Sequence, residues 1–258
     1  MGYSLKKRLK NKEVTIGSWL SFGYTSICEM MAQAGFDWLV IDMEHTNIDY
    51  AEATELIRII ELSNCIPLVR VGENCPTVIK RVMDSGAHGV LVPMVNKRDD
   101  AKAAVDAVYY PPLGSRGVGL FRAQKYGSGF QEYREWLEKE AIVIVQIEHI
   151  QAVPNLDDIL SVNGVDGFII GPYDLSASLN LPGQFDHPLV KEALEEIERV
   201  MLYHSKIGGS HIVHSDSEKL KDKIEKGYKF IAYGDDMVFF SEKLTQEFKF
   251  ITNIISEI

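Results

Sequence analysis

Nowhere in its 258 residues does the chain run about 18 apolar residues together, so nothing in it reads as a membrane-spanning helix. The opening MGYSLKKRLKNKEV lacks the apolar stretch of a secretory signal, and the expectation is a cytoplasmic protein. Cysteine is scarce: Cys28, Cys65 and Cys75 are too few and too irregularly spaced for a disulfide framework or a zinc ribbon, and read as small buried side chains. Positive charge is in deficit, with 27 Lys and Arg against 37 Asp and Glu and a net charge of −10. Apart from the loose KKRLKNK near the start there is no basic cluster, which argues against nucleic acid or an anionic membrane as partner. What remains is the composition of an ordinary globular protein able to bury a sizeable core, 46% hydrophobic and 25% charged.

Short apolar runs recur along the chain: 15–22, 38–44, 66–71, 89–95, 142–148, 167–172, 206–213 and 229–235. They do not alternate in polarity, as expected of parallel strands covered on both faces. Helical segments lie between them. SICEMMAQAG stops at Gly35, the place for a left-handed cap. Asp49 with Glu52 three residues on makes a capping box ahead of a helix, and KEALEEIERVMLYHS follows Pro188 with apolar residues at helical spacing. Eight such units predict one α/β domain over 1–258, a (β/α)8 TIM barrel. A doubly wound sheet is disfavoured because GxGxxG is missing from the first strand-to-helix turn. Residues 109–141, rich in Pro, Gly, Arg and aromatics, read as a long loop excursion rather than a ninth barrel unit, and long ordered loops tend to be functional.

In such a barrel, chemistry gathers where the strands end. The predicted strand ends are polar: Asp42-Met43-Glu44-His45, Arg70, Gln146-Ile147-Glu148-His149, and Tyr173-Asp174 after GFIIGP. Glu148 and Asp174, on neighbouring strands, start a hard oxygen site suited to Mg2+ or Mn2+; zinc would need more nitrogen or sulfur than His45 and His149 offer. The plain alternative for both carboxylates is helix N-capping. Arg70 is a fixed cation for a carboxylate or an enolate, or else an ion-pair partner of Glu44 or Asp42. His45 is a candidate general base, or a rim histidine with no such role. Asp84, one turn from a helix stop at Gly86, opposes the helix dipole. Its helix end points away from the mouth, so a catalytic Asp84 would have to come from a neighbouring subunit or an unusual connection. His88, His187, His204, His211 and His214 read as structural or surface residues.

The stretches IDMEH (41–45), PLVRV (67–71), IKRVMDSGAHGVLVPMV (79–95), YPPLGSRGVG (110–119), RAQKYG (122–127), VQIE (145–148) and VDGFIIGPYDLSASLNLPG (165–183) together resemble the HpcH/HpaI aldolases. The resemblance covers nearly the whole chain, in order. It implies a metal-dependent, class II pyruvate aldolase of the phosphoenolpyruvate/pyruvate barrel superfamily. Such an enzyme reversibly cleaves a 4-hydroxy-2-oxo acid to pyruvate and a small aldehyde through a metal-stabilised enolate. By position, Glu148 and Asp174 match the ligands of the divalent metal, Mg2+, Mn2+ or Co2+. His45 matches the proton acceptor, Asp84 the carboxylate that raises its basicity, and Arg70 the group that stabilises the enolate. Gln146 and Tyr173 match positions that touch the pyruvate part of the substrate. The family also implies a hexamer, a dimer of trimers with the last helix exchanged between subunits.

The chain departs from the family at Thr46 and Asn47, at His149 after the metal glutamate, and at Tyr173, where a small residue is usual. These departures predict a changed aldehyde specificity. The competing expectations are oxaloacetate decarboxylation or a malyl-CoA-type lyase on the same enolate chemistry, or a ligand-binding barrel without catalysis. The acidic composition argues against the CoA variant, and retention of Arg70, His45, Glu148 and Asp174 against the last.

Overall fold

A computed structural model describes residues 4–257. Eight parallel strands, β1 (Thr15–Leu20), β2 (Trp38–Asp42), β3 (Ile66–Arg70), β4 (Gly89–Val92), β5 (Ile142–Ile147), β6 (Gly167–Ile170), β7 (Ile207–Ile212) and β8 (Phe230–Asp235), pair in sequence order. β8 pairs back onto β1, closing the (β/α)8 barrel. Helices α1 (Leu5–Lys10), α2 (Thr25–Gln33), α3 (Tyr50–Leu62), α4 (Pro76–Asp84), α5 (Arg98–Val108), α6 (Phe130–Glu140), α7 (Leu156–Leu160), α8 (Pro172–Ser178), α9 (Pro188–Tyr203), α10 (Ser217–Glu225) and α11 (Asp236–Ser256) complete the chain. None of the described helices is long and apolar enough to cross a membrane.

Local signals act where the sequence places them. Asp49 accepts from the Ala51 and Glu52 amides, and Glu52 accepts in return from the Asp49 amide, so α3 starts on a capping box. Gly35, just past α2, has φ +100. Each strand is apolar on both sides because it feeds two cores. One cluster lies between strands and helices, and another fills the barrel, where Trp38 stacks on Phe230 at 3.9 Å. Gly17 makes that stack possible, since a Cβ there would lie 2.1 Å from the Trp38 indole.

Two segments differ from the sequence expectation. The 109–141 excursion contains a full helix, α6, because Phe130, Tyr133, Trp136 and Leu137 recur at helical spacing among the charges. The basic start of the chain forms α1, whose Leu5 and Leu9 plug the N-terminal end of the barrel interior. Lys6 is buried there, pairing with Asp166 at 3.2 Å and donating to the Tyr109 hydroxyl at 2.9 Å. Most strands also end sooner than their apolar runs. β2 stops at Asp42, β4 at Val92 and β5 at Ile147, and the residues that follow leave the ladder at the barrel mouth.

Candidate active site

Arg70 closes β3 and is held on three sides. Its Nε donates to Asp42 Oδ1 at 2.9 Å and its Nη2 to Asp42 Oδ2 at 2.7 Å, a two-pronged pair across adjacent strands in register. Glu44 Oε2 lies 3.3 Å from Nε, and the guanidinium sits 4.4 Å over the Trp19 ring. Burial alone would raise the Asp42 carboxyl, but the bonds and charge of Arg70 outweigh it and hold it below the usual carboxylate range. The ion pair that the sequence offered as the alternative role of Arg70 is therefore present, with Asp42 and Glu44 together.

Glu148 leaves β5 into the same mouth and is almost fully buried. Its Oε1 accepts from the Met94 amide at 2.7 Å, and its Oε2 from the Gln146 side-chain amide. Met94 is a non-glycine residue at φ +53, a backbone state worth keeping only where something requires it; here it carries the N–H that Glu148 accepts. Gly171, at the start of α8, gives Glu148 its room. Burial pushes the Glu148 carboxyl upward against both hydrogen bonds, and the charge of Asp174 adds to the rise. Asp174 lies in the first turn of α8 and makes no capping bond; Glu148 caps nothing either. Gln146 Oε1 and Glu44 Oε2 are buried without a hydrogen-bond donor. Burial raises Glu44 to about 7, Arg70 opposes the rise, and Glu148, Asp42 and Asp174 reinforce it.

Arg70, Gln146, Tyr173 and Asp174 line one cavity of about 110 Å3 with Trp19 and His211. His45 stands at the rim with its side chain 62% exposed, Nε2 3.8 Å from Glu44 Oε2. Tyr173 is exposed and meets Phe185 edge-on at 4.9 Å. His149 caps the turn that follows β5, accepting from the Gln151 amide through Nδ1.

Asp84 does not join them. It ends α4 at the opposite end of the barrel, where Gln124 donates to it at 3.1 Å and to the Tyr110 hydroxyl at 2.9 Å. Burial raises its carboxyl, opposed by Arg116, Gln124 and Lys80. Within one chain it is remote from His45.

Trp19 and His211 are the residues that sequence reading missed. His211 read as structural, yet it lines the cavity, 5.4 Å from the Trp19 ring, with Nε2 on the Gly234 carbonyl at 3.1 Å. Burial lowers it to about 4, against the pull of that carbonyl, so the ring is neutral near pH 7. Its signal, a lone histidine in an apolar strand, gains meaning only when barrel closure puts β7 near β1.

A hard cation fits this donor set. Glu148 and Asp174 are carboxylates close enough that the charge of Asp174 adds to the rise of Glu148, beside an undonated amide oxygen on Gln146. Among the described residues no group of three or more His, Cys, Asp or Glu side chains converges for a metal, so the other positions of a bound ion would fall to substrate and water, as magnesium-type sites usually arrange.

A sequence model of the HpcH/HpaI aldolase/citrate lyase family matches residues 15–242. The hydroxypyruvate/pyruvate aldolase of Sagittula stellata is 39% identical over 88% of this chain and 89% of its own. The 2-keto-3-deoxy-L-rhamnonate aldolase of Escherichia coli is 37% identical over 93% of this chain and 90% of its own. The crystal structure of a family protein from Burkholderia cenocepacia superimposes with a TM-score of 0.89 at 32% identity, covering 96% of this chain and 98% of that one. The chain belongs to the HpcH/HpaI aldolase/citrate lyase family and is a carbon–carbon lyase.

Proposed function

We propose that the protein is a divalent-metal-dependent pyruvate aldolase, cleaving a 4-hydroxy-2-oxo acid to pyruvate and an aldehyde and running the addition in reverse. The observation that carries this reading is the mouth itself. A guanidinium locked by Asp42 faces the cavity that Gln146 and Asp174 line, next to a carboxylate locked by Met94 and Gln146.

Glu148 and Asp174 hold the metal, Mg2+ or Mn2+, with Co2+ as a further choice, and when bound it supplies Lewis-acid polarisation of the keto oxygen. Arg70 faces the negative charge that C3–C4 cleavage leaves on the pyruvyl fragment. Its bonds to Asp42 fix its orientation beforehand, so little reorganisation is needed as that charge develops. Gln146 and Tyr173 position the pyruvyl end. His45 moves the proton of the C4 hydroxyl, reaching it from the rim. No Schiff base is needed, and among the described residues no lysine lines the cavity of about 110 Å3.

Asp84 acts on His45 only if it comes from a neighbouring subunit. The chain, a single barrel domain, then works as a cytoplasmic homo-oligomer, a hexamer by resemblance. Phe240, Leu244, Phe248, Ile251 and Ile255 along α11 are all exposed, which supports burial of that helix against another copy. Tyr173 and His149 favour an aldehyde other than succinic or tartronic semialdehyde. Pyruvate release from a panel of 4-hydroxy-2-oxo acids, coupled to lactate dehydrogenase, tests the reading. Release with Mn2+ that EDTA abolishes and that Glu148→Ala lacks is expected. No release from folded protein with any acid or metal would turn the argument toward decarboxylation or ligand binding.

A further inference from the structure

His211 is the one ionisable residue of β7 (IGGSHI), and it borders the cavity that Arg70, Gln146 and Asp174 line. Its two ring nitrogens are not equivalent. Nε2 lies 3.1 Å from the Gly234 carbonyl, and a carbonyl only accepts, so Nε2 carries the hydrogen. That carbonyl belongs to a residue at φ +70 within β8, where a Cβ would run into the Phe239 ring, so glycine is needed to hold the acceptor there. The imidazole packs against the Trp19 ring with centroids 5.4 Å apart, which fixes it from a second side. Burial keeps it neutral near pH 7, and Nδ1 is therefore a lone pair without a hydrogen. No group among the described residues donates to Nδ1, and it is not sealed from solvent as Trp19 Nε1 is. A lone pair at this point takes a group that bears a proton and offers nothing to a carboxylate, which has none to give. Arg70 is a donor, and Gln146 and Asp174 belong to the metal and the pyruvyl end. Apart from the exposed Tyr173 hydroxyl, His211 is the side-chain acceptor of this cavity left for another part of the substrate.

We propose that His211 Nδ1 accepts a hydrogen bond from a substrate hydroxyl and so makes the enzyme favour hydroxylated partners over their deoxy counterparts. The inference rests on the aldolase reading above. The hydroxyl has two sources, C2 of an uncharged hydroxyaldehyde or C3 of a hydroxypyruvyl donor, and each lies on or next to a carbon of the bond that is made or broken. In the addition direction the donor C3 loses a proton and bonds to the aldehyde carbon, whose oxygen gains one; the contact with His211 transfers nothing.

The test takes two ratios of kcat/KM in the parent and in His211→Leu: hydroxyacetaldehyde over acetaldehyde with pyruvate as donor, and hydroxypyruvate over pyruvate with acetaldehyde as acceptor. At least one should fall roughly fivefold or more in the variant, the size of one neutral hydrogen bond. A fall in the first assigns the hydroxyl to the aldehyde, and a fall in the second assigns it to the donor. A smaller fall in both overturns the role of His211. Each ratio is taken within one protein, so a general loss of activity cancels, and His211→Phe repeats the comparison should the leucine variant not fold. Exchange of pyruvate methyl protons into D2O by the unaltered enzyme separates the two readings. Exchange with unshifted ratios removes only the His211 contact, whereas no exchange and no addition to any aldehyde removes the aldolase with it.

Discussion

Gly171→Ala tests the placement of the metal carboxylate without touching a charge. Gly171 has φ −97, which any residue adopts, so the substitution carries no backbone strain. A Cβ there would stand 2.8 Å from both Cβ and Oε2 of Glu148 and 3.4 Å from the Gln146 side-chain nitrogen. Those contacts are too short to persist, and Glu148 is the side chain that must move. Moving it breaks or lengthens its bonds to the Met94 amide and to Gln146, and a hydrogen bond to a charged group is worth about 1.5–3 kcal/mol. Overpacking adds about 1–3 kcal/mol to the cost of folding. Loss of one such bond corresponds to about 10–100-fold in affinity for the metal, at about 1.4 kcal/mol per tenfold. Mn2+ titration by calorimetry, beside a thermal melt, reads both quantities. A folded Gly171→Ala protein that binds Mn2+ within twofold of the parent would refute the account of Gly171 as the space in which Glu148 is held.

Asp42→Asn leaves Arg70 with Glu44 and the Trp19 ring but without its two-pronged partner. Removing one member of a buried pair costs about 3–5 kcal/mol; a lower Tm and at least a tenfold lower kcat are expected, checked by a melt and by steady-state pyruvate release. Glu61 bonds His88 at 3.0 Å and pairs with Arg122, and although its burial pushes the carboxyl up, those partners hold it below its ordinary 4.5. The stabilisation this brings is whole above pH 4.5 and is lost as pH falls through the depressed folded value; Glu61→Gln should be less stable at pH 7 but lose less between pH 5 and 3, as denaturant melts at each pH would show. If Asp84 serves a neighbour's His45, His45→Ala and Asp84→Asn subunits that are each inactive should regain roughly a quarter of full activity when dissociated and reassembled together at equal amounts, since only one pairing in four restores a complete site. Failure of a verified mixed assembly to regain activity would separate the two residues.

The barrel was legible because its parallel strands are buried twice over. Runs such as IVIVQI need no alternation, and the eightfold recurrence leaves little other topology. Less legible was α6, whose charged surface hides four apolar residues at helical spacing, and α1, where basic residues mask Leu5 and Leu9. At the mouth, Glu148 and Arg70 stood out as ionisable groups ending apolar runs, a place where an unpartnered charge is costly. Their partners were harder to see. The Met94 amide that Glu148 accepts is a backbone group in a left-handed turn, and no side-chain pattern announces it. Trp19 and His211 look like core residues until β8 closes onto β1 and brings both beside Arg70.

Two clusters of buried charge, one around Lys6 and one at the mouth, are handled in opposite ways, and this separates stability from chemistry. At the N-terminal end Lys6 meets Asp166, the Tyr109 hydroxyl and the Ala141 carbonyl, so its three protons all have acceptors beneath the plug of Leu5 and Leu9. At the mouth the count does not close. Arg70 gives two of its bonds to Asp42 and is left to offset Glu44, Glu148 and Asp174, whose mutual repulsion helps raise Glu44 and Glu148. A fold selected for stability alone would have removed one of those carboxylates or supplied a second cation, since uncompensated buried charge works against folding. Retaining them leaves three carboxylates beyond the Arg70–Asp42 pair, of which a divalent ion would offset two, at the place where a pyruvyl group would meet Arg70. The unbalanced mouth is therefore the one read as the site, and the paired Lys6 cluster beneath the plug helps hold the barrel closed.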